Sequence, residues 1–116
     1  MGYNKAMPQV TITDNARTVL RTLAPDDRNE VRRWCAELKD WRPDSIRFLS
    51  RTIGINSTFM LRTDADVKLV FTTDTKGIAK PAKVITIVDI MPGAEAARRT
   101  LQNARQTKRA REAHAS

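Results

Sequence analysis

The sequence predicts an α+β domain: an N-terminal strand, an αα hairpin packed on a mainly antiparallel sheet of four to five strands, and a basic C-terminal helix or tail. Three observations predict it. Apolar residues recur at helical spacing through two consecutive segments before Pro43. After Pro43 the period changes to strand-like alternation. From residue 94 onward, strong helix formers combine with an excess of cations. Helices carry an apolar stripe and strands an apolar face, and the order of the two decides the layer arrangement.

QVTIT (9–13) alternates Val10 and Ile12 with polar neighbours, which reads as a strand. Thr13 or Asp14 then supplies the oxygen that caps a first helix over 14–23, whose apolar positions are Ala16, Val19, Leu20 and Leu23. Pro25 suits the first turn of a second helix over 26–40, and Asp26 and Asp27 favour its positive end. Val31, Trp34, Cys35, Leu38 and Trp41 form its apolar face, opposite Arg28, Arg32, Arg33 and Lys39. The helix must stop before Pro43.

A weak alternation over 45–50 is read as a strand, and Gly54 with Asn56-Ser57 as a turn. TFMLRT (58–63) and VKLVFTT (67–73) are better strands, joined by the polar turn DAD (64–66). A loop over 74–81 carries Lys76 and Lys80. KVITIVDIM (83–91), rich in β-branched residues, reads as a strand in the interior of the sheet. Pro92-Gly93 ends it. The boundaries expected are one domain over 1–93 and a basic helix or tail over 94–116, helical at least to about Leu101 when docked along a thin stripe of Ala97, Leu101 and Ala104, and mobile beyond.

Charge narrows the function classes. The 116 residues hold 21 Lys and Arg against 13 Asp and Glu, a formal +8. Residues 94–116 alone contribute half of that surplus. Such a field attracts nucleic acid, a ribosome or an acidic protein, and speeds their association at low salt. Cys35 is the single cysteine, so no internal disulfide is expected and a small buried hydrophobe is its expected role. With one histidine, His114, near the end, neither a metal site nor a cofactor is expected. No apolar run reaches the length of a membrane span, and a cytoplasmic protein is expected.

The order of these segments resembles the RelE/ParE superfamily of bacterial type II toxins over about residues 9–91. The stretch that carries the resemblance is LRTDADVKLVF (61–71): a strand ending Leu-Arg, a tight turn, and a strand opening on a basic residue and apolar ones. Arg62 takes the first basic position and Lys68 the second, where the family has Arg. KVITIVDIM resembles the family's last strand. The resemblance implies a RelE-like toxin that inhibits translation by ribosome-associated mRNA cleavage, with mRNA or the ribosome as target and an antitoxin protein as partner. RNA-cleaving members place Arg, His or Tyr after that strand; here the chain reads Met91-Pro92-Gly93-Ala94. Two alternatives therefore stand beside it: a ParE-like poison of DNA gyrase that needs no catalytic groups, and a RelE-fold module that binds nucleic acid or protein without toxicity.

RNA cleavage by 2′-OH attack needs a proton acceptor, a proton donor and charge stabilisation on the phosphorane. Arg62 and Lys68, facing each other across one turn, are candidates for charge stabilisation. A lysine crowded by like charges can also accept a proton, which adds Lys83 to the catalytic candidates and keeps Lys80 in view. The bland reading is a phosphate clamp or a solvated strand face. Asp89 in the last strand is an edge residue, a partner for Arg62 or a carboxylate base. Arg47, Arg51, Lys76, Lys80, Arg98, Arg99, Arg105, Lys108, Arg109 and Arg111 are the candidate nucleic-acid contacts. Trp34 and Trp41 fall at core spacing rather than as stacking platforms.

Overall fold

In the computed structural model, residues 8–41, 51–55, 57–74 and 82–115 are described. β1 (Gln9–Ile12) leads into α1 (Asp14–Thr22) and α2 (Pro25–Glu37), which ends in a 3-10 turn over Leu38–Asp40. β2 (Thr52–Ile55), β3 (Thr58–Arg62), β4 (Val67–Thr73) and β5 (Val84–Pro92) follow, and α3 (Ala94–Ala115) closes the chain. The five strands form one sheet in the order β1-β5-β4-β3-β2. β1 runs parallel to β5, and the other neighbours are antiparallel. The fold class is α+β, as the change of period after Pro43 predicts.

One face of the sheet is buried. Phe59 and Leu61 from β3, Val67, Leu69 and Phe71 from β4, and Ile85, Ile87 and Ile90 from β5 meet Ala16, Leu23, Val31, Trp34, Leu38 and Trp41 from the helical side. Trp41 sits edge-on to Phe59 and Phe71, with ring centroids 5.1 Å away in both cases. That is the T-shaped geometry the ring quadrupole favours. Both tryptophans are core residues. Cys35 packs against the same cluster, and burial pushes its thiol up to about 11.

Thr13 is the cap of α1: its hydroxyl accepts from the Ala16 N–H at 3.2 Å and donates to the Val88 carbonyl at 3.2 Å. Val88 is the extra residue of a bulge, since Val70 pairs with Asp89 and Phe71 with Ile87. The bulge keeps Ile90 inward after Ile87.

Two expectations change, and one falls outside the described residues. Gly54 lies inside β2, opposite Phe59, rather than in a turn. A Cβ there would run into the Phe59 ring, so glycine lets the aromatic cross the strand. The strand expected at 45–50 lies outside the described residues. The C-terminal helix, expected at least to about Leu101, continues to Ala115, ~33 Å of helix. It stretches the molecule to 64 × 30 × 21 Å. No described helix is long and apolar enough to cross a membrane.

Candidate nucleic-acid interface

The β3–β4 hairpin builds the first part of the site. Thr63 closes its turn: the Thr63 N–H and hydroxyl both donate to the Val67 carbonyl, at 3.0 and 2.7 Å. Asp66 takes a left-handed backbone, φ 48°, which Asp tolerates better than most residues. The register that follows sets Arg62 directly opposite Lys68. Directly opposed residues hold their Cβ atoms about 4.5–5.5 Å apart on one face of the sheet. Both side chains are exposed, on the face away from the helices. Neither is ion-paired with a described carboxylate. Met91, the register partner of Lys68 on β5, completes the row and is 45% exposed.

Lys83 is not part of this group. It precedes β5 at the opposite end from Met91, which at ~3.4 Å per residue puts it ~27 Å from the row. Register, not sequence distance, decides this: the Lys83 and Val84 N–H groups bind the Asp74 carboxylate, at 2.9 and 3.2 Å. These backbone bonds, Val84's first, lower the Asp74 carboxyl below its ordinary value. Asp89 is no edge residue and no partner of Arg62. It sits on an interior strand opposite Val70 and accepts from the Ile90 N–H at 2.8 Å.

Two of the expected phosphate contacts hold the fold together instead. Arg99 donates from Nε to the buried Asp27 carboxylate at 2.9 Å and from Nη2 to the Ala65 carbonyl at 3.3 Å. It thereby locks α3 to α2 and to the β3–β4 turn. Arg51 pairs with Asp64 at 2.6 Å and lies over the Trp34 ring, 5.1 Å from its centroid. Arg33 pairs with the same Asp64 at 2.9 Å and with Glu30 at 2.7 Å. Glu30 also accepts from the Trp34 indole N–H and the Asp64 backbone N–H, at 2.8 and 3.2 Å. The Arg33 hydrogen bond, against partial burial, holds the Glu30 carboxyl down at about 2. Arg33, Arg51 and Arg99 are partly exposed, and each is engaged by a carboxylate of the fold.

The remaining candidates lie on α3. Arg98 is ion-paired with Glu95 on the exposed surface. Arg105, Lys108, Arg109 and Arg111 are exposed and have no described ion-pair partner. Arg47, Lys76 and Lys80 lie outside the described residues.

Sequence reasoning missed what anchors α3. The buried residue is Ala96, while Ala97, Leu101 and Ala104 are exposed, Leu101 by 58%. Ala96 and Arg99 share one helix face, and the Asp27 pair selects that face over the slightly more apolar one. It also missed Arg17, Arg21, Arg28 and Arg32, which line a cavity of about 340 Å³ on the helical hairpin. Their signal was legible as two Arg pairs at i, i+4 spacing.

No family model, no curated protein and no solved structure matches this chain.

Proposed function

We propose that this chain is a RelE/ParE-like toxin that acts on ribosome-bound mRNA, with Arg62 and Lys68 as its phosphate-contacting pair. The observation that carries the reading is the direct pairing of Arg62 with Lys68 on the exposed sheet face. Two cations held side by side by a rigid ladder are already organised for a phosphate in flight. The order of strands and helices and the net charge of +8 support the same reading. An acidic antitoxin that covers the pair is the partner this reading requires.

The pair supplies the electrostatic part of cleavage. As cations, Arg62 and Lys68 stabilise the phosphorane oxygens. Met91, next in the row, offers no proton. That neighbour favours a second reading, in which the pair only clamps its target, as in a gyrase poison or a non-toxic binding module.

Run-off mapping of cellular mRNA after brief induction separates the readings. Codon-phased cuts that vanish in Arg62→Ala and Lys68→Ala support the toxin. An SOS response with altered supercoiling and no cuts points to gyrase. Neither response leaves the binding module. Unchanged cutting by Arg62→Ala removes Arg62 from the mechanism.

A further inference from the structure

Each helix of the hairpin presents two arginines one turn apart, Arg17 and Arg21 on α1 and Arg28 and Arg32 on α2. Side chains four residues apart share a helix face, so each pair repels. Together with Ile12 and Leu20 the four line a single cavity of about 340 Å³. None of them is ion-paired with a described carboxylate; on α2, Asp27 is engaged by Arg99 and Glu30 by Arg33. Arg28 is braced by the chain itself. Its NH2 group donates to the Leu23 carbonyl at 3.0 Å and the Arg21 carbonyl at 3.4 Å. Its Nε–H is buried with no acceptor among the described residues.

Arg21 also borders a second groove of about 520 Å³. The far wall of that groove is one stripe of α3, with Thr100, Asn103, Thr107, Lys108 and Arg111 at helical spacing. The stripe covers ~16 Å of helix axis. Arg21 lines both depressions, and the two are taken together as one track. Among the described residues, its lining carries six cations, Arg17, Arg21, Arg28, Arg32, Lys108 and Arg111, and no carboxylate.

We propose that this track is a second RNA site that takes the phosphate backbone of a single strand on the helical side of the domain. The Arg62–Lys68 row lies on the other side of the sheet. The inference rests on the reading that RNA is the chain's polyanion. A concave cationic groove suits a single strand, whose backbone it can follow. Arginine forks meet phosphate oxygens in pairs, and the Thr and Asn side chains offer hydrogen bonds to sugar and phosphate. No aromatic side chain among the described residues lines the track, which suits backbone rather than base contacts. Its apolar lining is limited to Ile12, Leu20 and Ala104, too little to hold the apolar face of a helical partner.

The test uses the full chain and a fluorescein-labelled 20-nucleotide oligouridylate, with Kd measured across a salt series. Three proteins are compared: wild type, Arg17→Gln/Arg21→Gln/Arg32→Gln, and Arg62→Gln/Lys68→Gln. Arg28 is kept because it braces the α1–α2 join, and thermal melts by circular dichroism check folding. The triple variant is expected to bind roughly tenfold or more weakly, with its log–log salt slope shallower by about 2, near 0.7 per lost phosphate contact. The Arg62/Lys68 variant is expected to keep the track's share of the slope. Wild-type affinity and slope in the triple variant, with binding lost only at Arg62 and Lys68, would overturn the track and leave the proposed function standing. A wild-type protein that binds polyglutamate but not the oligonucleotide would overturn both, and assign the arginines to an acidic protein.

Discussion

Asp66 accepts a hydrogen bond from the Glu95 N–H at 3.1 Å, so the turn between β3 and β4 caps the basic C-terminal helix. The Gly93 N–H donates to the Asp66 carbonyl at 2.8 Å. A Cβ at position 93 would collide with the Asp66 carboxylate, so glycine is what lets the two segments close. The carboxylate meets the free N–H groups and the positive end of the helix dipole together. The turn that sets Arg62 against Lys68 therefore also aims α3.

Replacing Asp66 tests this link. Asp66→Ala is expected to cost about 1–2 kcal/mol, the upper range for a lost helix cap, because it also burdens a left-handed backbone position. Asp66→Asn keeps an acceptor and tolerates the conformation, so it should lose less. Urea melts give the totals. Hydrogen exchange should show the loss in the first turns of α3 before the sheet; uniform loss would deny the cap its local role.

The Arg99–Asp27 pair is the second anchor of α3. Asp27 is 3% exposed, so Asp27→Ala strands a guanidinium and removes a tie between two helices. Breaking a fully buried pair costs about 3–5 kcal/mol; Arg99 reaches solvent, which brings the expectation down to about 1–3 kcal/mol. Arg99→Lys keeps the charge but loses the two-way fork to Asp27 and Ala65, and should recover little. Equal stability of Arg99→Lys and wild type in thermal melts would make the pair a simple charge contact.

Acid should act through Glu30. Its carboxyl is held at about 2, from an ordinary 4.5, chiefly by Arg33. A lowered folded-state value means the bond contributes above about 4.5 and fades as pH falls toward 2. Stability should therefore drop more between pH 5 and about pH 2.5 in wild type than in Glu30→Gln. Parallel pH profiles of the two proteins would show that Glu30 takes no part.

Gly54→Ala is expected to destabilise by about 1–3 kcal/mol, since the new methyl must displace the Phe59 ring from its stack on Phe71. Shrinking the ring with Phe59→Leu should recover part of the loss in the double variant. Additive losses in denaturant melts would place the cost elsewhere.

Truncation after Leu101 removes Arg105, Lys108, Arg109 and Arg111, all exposed, and leaves Ala96 and Arg99 in place. The fold should survive. RNA affinity should weaken, and its log–log salt slope should flatten by roughly two to three units. An unchanged slope would confine the footprint to the residues before 102.

The sequence by itself determined the class of fold. Val10 and Ile12, the helical spacing of Ala16 through Leu38, and the alternation of 58–73 each bury one face, and burial of apolar surface follows local period. The pairing of Arg62 with Lys68 was legible for the same reason, because a short turn between two strands leaves little choice of register. What only tertiary structure decided is which cations are free. Arg51, Arg99 and Arg105 are alike as letters. Asp64 claims the first and Asp27 the second, across 13 and 72 positions of chain, and α3 leaves the third in water. Lys83 was lost to the site because strand direction, not neighbourhood in sequence, sets distance along a sheet. Ion pairs between distant segments, and the pairing of strands far apart in sequence, depend on partners that meet only after the chain folds, and no local pattern of residues encodes them.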